Sequence, residues 1–138
     1  MASSARRQWT TWLSSTDLPK TLRSRVYSTV AAIAKADVVV ENFAPGVTGR
    51  LGLDWPSLQA VNPRLVYVSH KGFLPGPYEH RTALDEVVQM MGGLSYMTGP
   101  EGRPLRAGTS VNDIMGGMFG AIGVLAALRE RDVTGRGQ

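Results

Sequence analysis

Val38-Val39-Val40-Glu41-Asn42-Phe43-Ala44-Pro45-Gly46 reads as a short β-branched strand that ends abruptly in a polar, ligand-facing loop. Three successive valines suit a parallel strand covered on both faces, since such strands are apolar throughout and branched side chains pack well on a pleated surface. Pro45-Gly46 then breaks the chain. Upstream, Val26, Val30, Ile33 and Ala34 recur at helical spacing within an alanine-rich stretch, which predicts a helix over 25–36. Downstream, Asp54 before Trp55-Pro56 has the chemistry of an N-cap, Ser57 to Val61 continue a short helix, and Asn62-Pro63 stop it. Leu65-Val66-Tyr67-Val68-Ser69 is a second strand. Strand, loop, helix and strand with short connections make α/β grammar and predict a right-handed parallel crossover. Ligands of such sheets bind outside the carboxyl ends of the strands, here Asn42-Phe43 and His70-Lys71-Gly72-Phe73.

The rest of the chain predicts two further helices. One, over 83–94, is expected to bury Leu84, Val87, Val88 and Met91, with Gly92-Gly93 weakening its end. The other runs over 111–131 and carries no charge from Ile114 to Leu128. Fifteen residues are too few for a membrane span, so the expectation is a buried helix. Gly116, Gly117, Gly120 and Gly123 leave bare backbone along it, where another helix or strand could approach closely.

The 138 residues, 43% of them hydrophobic, suffice for one compact domain with a core. With no cysteine there is neither a disulfide framework nor a thiolate site, which fits a reducing, cytoplasmic setting, and two histidines do not suggest a metal. The net charge of +4 raises the question of nucleic acid. Residues 1–25, however, carry Arg6, Arg7, Lys20, Arg23 and Arg25 against Asp17 alone, while from Val26 onward ten basic residues balance ten acidic ones. The basic signal belongs to a leader, not to a stripe on folded elements, and no nucleic-acid or membrane partner is expected. That leader is rich in Ser, Thr and Arg and is expected to be poorly ordered. Its composition is shared by mitochondrial transit peptides, disordered tails and shifted reading frames.

Asp113 is the residue with most chemical promise. At the start of an apolar helix, unpaired N–H groups and the helix dipole favour its ionised form, as a carboxylate nucleophile requires. The same position suits an ordinary N-cap, and Asn112-Asp113 would serve that purpose too. Residues alone leave both readings open.

Four stretches together carry a family resemblance: the Val38 to Gly46 run with Arg50-Leu51-Gly52, Leu84-Asp85-Glu86-Val87-Val88-Gln89, Val111-Asn112-Asp113, and the closing Thr134-Gly135-Arg136-Gly137-Gln138. From about Ala31 to Gln138 the chain resembles the family III CoA-transferases, which include formyl-CoA and carnitine CoA-transferases and the related alpha-methylacyl-CoA racemases. The resemblance implies a partial Rossmann-like parallel sheet with flanking helices over 26–138, an incomplete large domain of a CoA-transferase that would dimerise at full length. It implies that Asp113 is the nucleophile, that Asn42, Phe43 and Ala44 contact coenzyme A, that Arg50 lies on its phosphate side, and that Arg81, Thr82, Ala83 and Leu84 line the pantetheine and acyl region. Acyl-CoA and a small carboxylic acid would be the substrates, with no prosthetic group.

Two departures bear on function. The racemase branch needs a histidine where Leu84 stands, and leucine cannot move a proton, so transfer is expected over racemisation. Family members are several times longer, and their glycine-rich loop falls beyond Gln138. A fragment of the large domain that survives only as an interaction or assembly module is therefore the alternative.

Overall fold

The computed structural model describes Thr11, residues 17–81 and residues 83–138. Its elements are α1 (Lys20–Ile33), β1 (Val38–Glu41), α2 (Val47–Leu51), α3 (Trp55–Val61), β2 (Val66–Ser69), α4 (Asp85–Met91), α5 (Leu94–Thr98) and α6 (Val111–Thr134). Helix α1 begins at Lys20 rather than near Arg25, so the last residues of the predicted leader are helical. The remainder of that leader, apart from Thr11 and residues 17–19, lies outside the described residues. Strands β1 and β2 pair in a two-stranded parallel sheet. The chain divides into two compact units where one domain was expected. The first comprises residues 17–41, 46–68 and 124–138 with Thr11; the second comprises 42–45 and 69–123.

The first unit has an apolar core. Val26, Val30 and Ile33 present one face of α1 to Leu58 of α3 and to Leu65, with Val39, Leu53, Trp55 and Tyr67 partly buried around them. Asp54 caps α3 as its chemistry predicts, accepting the Ser57 N–H at 3.0 Å. Asn62, where α3 stops, donates its side-chain amide to the carbonyls of Ile33 at 3.2 Å and Ala36 at 2.9 Å. One residue thus ends one helix and ties down the open end of another. The chain end is held by backbone: the Tyr67 N–H donates to the Gln138 carbonyl at 2.8 Å and the Gly137 N–H to the Pro63 carbonyl at 2.9 Å. Gly137 lies so close that any Cβ there would run into the Leu65 carbonyl. The buried Arg131 pairs with Asp37 at 2.9 Å and donates to the Arg64 carbonyl at 3.1 Å.

Strand β1 departs from its expected coverage on both faces. Val40 is 59% exposed, whereas Glu41 is buried and accepts from the Tyr67 hydroxyl, which reaches the Leu53 carbonyl as well. Burial first, then the negative charge of Glu41, pushes the Tyr67 phenol up to about 12.

The second unit is built differently. Its buried residues, among those described, are all polar: Asp85, Gln89 and Ser95. The helix expected over 83–94 is two short helices, α4 and α5, separated at Gly92-Gly93, where Gly93 takes a left-handed φ of 82°. Leu84, Val87 and Met91, expected inside, are exposed, and Val88 is half-buried. The four-residue spacing of Asp85 and Gln89 decides which face turns in, because hydrogen bonds await both side chains there.

Helix α6 is likewise not the buried helix expected. Ile114, Met115, Met118, Phe119, Ile122 and Leu125 are all exposed, and only Ala127 and Arg131 are buried. It is long and apolar enough to cross a membrane, by length and composition alone, and core helices of soluble proteins share both properties. The bare backbone at Gly117 and Gly123 meets nothing within 4 Å; Gly116 has the His70 imidazole 3.9 Å from where a Cβ would stand.

Candidate functional site

Asp113 lies within the first turn of α6, not before it, and its side chain is exposed. The capping task belongs to another residue. Asp85, buried at the start of α4, accepts the Asn112 N–H on Oδ1 at 2.8 Å and receives the Asp113 N–H too. No hydrogen bond or ion pair to the Asp113 carboxylate is present among the described residues, so the group the sequence offered as nucleophile or cap is released from the second role.

Around Asp85, Gln89 Nε2 donates to Oδ2 at 2.6 Å and Arg106 approaches the same oxygen at 3.3 Å. Burial alone would push this carboxyl up. Hydrogen bonds from the Asn112 N–H, Gln89, Arg106 and the Asp113 N–H outweigh it and hold the group below the usual carboxylate range. A folded-state pKa below the unfolded one, about 3.9, gives stabilisation that is complete above that value and is lost as pH falls through the folded value. In an acid titration followed by NMR, the midpoint of the Asn112 amide resonance should therefore fall below the ordinary carboxylate value. A midpoint at or above the ordinary carboxylate value would contradict this network.

Asn42, Phe43 and Ala44 form the exposed loop after β1 and belong to the second unit together with Asp113, Arg81, Ala83 and Leu84. Lys71, which follows β2, donates to the Phe43 carbonyl at 2.6 Å, so the two loops after the strand ends are tied to each other. Phe43 and Leu84 remain 47% and 63% exposed. Arg81 stacks on the Tyr78 ring, 5.1 Å from its centroid, and Tyr78 in turn packs against Phe73. Thr82 lies outside the described residues.

Arg50 belongs to the first unit, in the last turn of α2. Its guanidinium folds back over Gly46, whose φ of 78° opens that helix, and Nη1 stands 3.2 Å from the position a Cβ would take. Only glycine leaves that space and accepts that backbone without strain. Among the described residues, no group of three or more His, Asp or Glu side chains could hold a metal ion.

Asp85 and Gln89 entered the sequence reading only within the stretch Leu84 to Gln89 that carries the resemblance, with no role assigned to either, and Arg106 did not enter it. The available signal was the Asp85–Gln89 spacing of four on a helix whose other side is apolar, a pattern masked by counting only the apolar residues.

A short parallel sheet, polar loops after its strand ends and an exposed aspartate at a helix start define a protein of the α/β class with a carboxylate on offer. Residues 29–138 match the family model described as CoA-transferase family III, and the chain belongs to that family. It is 45% identical over 109 residues to a formyl-CoA:oxalate CoA-transferase of Rhodopseudomonas palustris strain BisB18, covering 78% of this chain and 26% of that protein. To an acetyl-CoA:oxalate CoA-transferase of Acetobacter aceti it is 47% identical over 108 residues, covering 76% and 28%. A crystal structure of a CAIB/BAIF family protein from Brucella suis superposes with a TM-score of 0.78 at 41% identity, covering 82% of this chain and 30% of that one. The chain thus spans about a quarter of the length of the curated relatives it matches.

Proposed function

We propose that this chain takes part in moving CoA from an acyl-CoA thioester to a carboxylic acid, with Asp113 as the nucleophile. The observation that carries this reading is the exposed Asp113 carboxylate in the first turn of α6, relieved of capping by Asp85. In the proposed sequence a carboxylate oxygen attacks the thioester carbonyl; the C–S bond breaks, giving an acyl-aspartyl anhydride and CoA thiolate. The thiolate then attacks the aspartyl carbonyl, releasing the acyl group as its acid and leaving an aspartyl-CoA thioester. The acceptor carboxylate attacks that thioester, breaking its C–S bond to give an acceptor-aspartyl anhydride and CoA thiolate, and the thiolate attacks the acceptor's carbonyl of the anhydride, forming the new acyl-CoA and releasing the Asp113 carboxylate. Covalent catalysis divides one hard exchange into easier steps. The relatives' names support a small acyl donor, formyl or acetyl, and oxalate as acceptor. Racemisation is disfavoured because Leu84 has no group that can give or take a proton.

Asn42, Phe43 and Ala44, with Arg50, are proposed as the coenzyme A contacts, and Arg81, Ala83 and Leu84, with Thr82, as the lining of the acyl end. Arginine suits a phosphate because its planar fork donates two hydrogen bonds at once. Calorimetric titration with free CoA tests this half of the reading. Saturable heat is expected, with the affinity it reports weakened by about 1.5–3 kcal/mol in Arg50→Ala, the worth of a charged hydrogen bond. Unchanged affinity removes Arg50 from the site. No heat from a folded chain would favour the second reading, an assembly module, for which the uncovered apolar face of α6 speaks. The cytoplasm is the proposed setting, as the lack of cysteine fits a reducing compartment.

A further inference from the structure

The buried polar residues around α4 form one hydrogen-bonded hub, with Gln89 at its centre. Gln89 is fully buried and engages both ends of its amide: Nε2 donates to Asp85 Oδ2 at 2.6 Å and to the Thr109 carbonyl at 3.1 Å, while Oε1 accepts the Ala107 N–H at 2.7 Å. Asp85 passes the constraint on by accepting the Asn112 N–H. Arg106 Nη2 bridges Asp85 Oδ2 at 3.3 Å and the Ser110 hydroxyl at 3.1 Å. Residues 106, 107, 109, 110 and 112 are therefore each held by this hub, and Asp113 is the next residue along.

A buried amide must find partners for its donors and its acceptor or cost free energy, and only a side chain with both can serve a carboxylate, a carbonyl and an N–H at once. Glutamate has no donor at neutral pH, and methionine, of similar shape, has neither group. A hydrogen-bonded polar cluster gives directionality that hydrophobic contact does not.

We propose that Gln89 is a positioning residue for the Asp113 carboxylate, acting through Asp85 and the 106–112 segment to fix the first turn of α6. The inference deepens the transferase reading and rests on it for the catalytic half alone. Its test uses Gln89→Met and Gln89→Glu in the full chain with two readouts. By amide hydrogen exchange, Asn112 and Asp113 should exchange about 10-fold faster in Gln89→Met, the loss of roughly one hydrogen bond's worth of protection, while Val30 in α1 is unchanged. By mass spectrometry of chain mixed with acetyl-CoA, the rate of covalent adduct formation at saturation should fall by a similar factor with the half-saturating concentration unmoved.

Gln89→Glu, which keeps the side-chain length and an acceptor but at neutral pH has no donor for Asp85 or the Thr109 carbonyl, should lose protection at Asn112 and adduct rate as Gln89→Met does. Unchanged exchange at Asn112 in Gln89→Met overturns the proposal. Faster exchange with an unchanged adduct rate overturns it as well, leaving a hub that only stabilises the fold. If the parent chain forms no adduct, the transferase reading fails instead, and the exchange result alone decides whether Gln89 fixes this turn. Should Gln89→Met lose protection at Val30, Arg106→Met, which removes a half-exposed contact of the same hub, carries the same readouts.

Discussion

Asp113→Ala is expected to lose CoA transfer by at least about 10³-fold, with CoA affinity retained, because it removes the atom proposed to form the covalent intermediate. The size of the effect separates chemistry from folding. An exposed acid in the first turn of a helix contributes only about 0.3–1 kcal/mol through the dipole, too little to unfold a domain. The N–H groups of that turn keep their acceptor in the variant, since Asp85 supplies it. Asp113→Asn sharpens the comparison: it keeps the shape while removing the charge and the nucleophilicity of the carboxylate. Exchange at the parent rate in either variant, measured as isotope-labelled CoA moving between two acids, would show that Asp113 is the wrong residue.

Leu58→Ala should destabilise the first unit by about 2–5 kcal/mol. Leu58 is fully buried in a core of five buried side chains, with Val26, Val30 and Ile33 of α1 and with Leu65. The cost has two parts, the lost transfer of three carbons from water and the cavity they leave. For a domain whose whole stability is typically about 5–15 kcal/mol this is a large share, and urea unfolding followed by circular dichroism should show the midpoint fall accordingly. Leu74→Ala, at 85% exposure, should stay within about 0.5 kcal/mol of the parent. Equal effects from the two variants would mean that α1, α3 and β2 do not share one core.

The first unit was legible because its signals are local and agree with one another. The valine run, the Asp54 cap, the Asn62-Pro63 stop and the α1 spacing each name their own structure, and each stands within a few residues of where it was expected. The second unit was legible in outline only. Its inward face is chosen by Asp85 and Gln89, whose partners lie 18–27 residues away in sequence, at Ala107, Thr109 and Asn112, and no local period encodes those pairings. Apolar spacing in α4 therefore pointed to the wrong face. The fate of α6 could not be read either, since an apolar helix is apolar whether or not its neighbours cover it.

At the candidate site, residue types carried Asp113 and the loop after β1, and the structure adds why Asp113 is available. Capping and nucleophilicity compete for one carboxylate in the sequence; in the fold Asp85 accepts the N–H of Asn112, which leaves the Asp113 carboxylate for the attack proposed above. Lys71 shows the converse. The sequence named it only as part of the loop after the second strand, yet its bond to the Phe43 carbonyl ties that loop to the one proposed to meet coenzyme A.

The central claim is most directly tested by intact-mass measurement of the chain after mixing with formyl-CoA or acetyl-CoA, followed by peptide mapping. The account predicts an adduct on Asp113, either acyl or CoA, that is removed by hydroxylamine and absent from Asp113→Ala. A folded chain that binds CoA yet carries no adduct, or one whose adduct persists in Asp113→Ala, would contradict it.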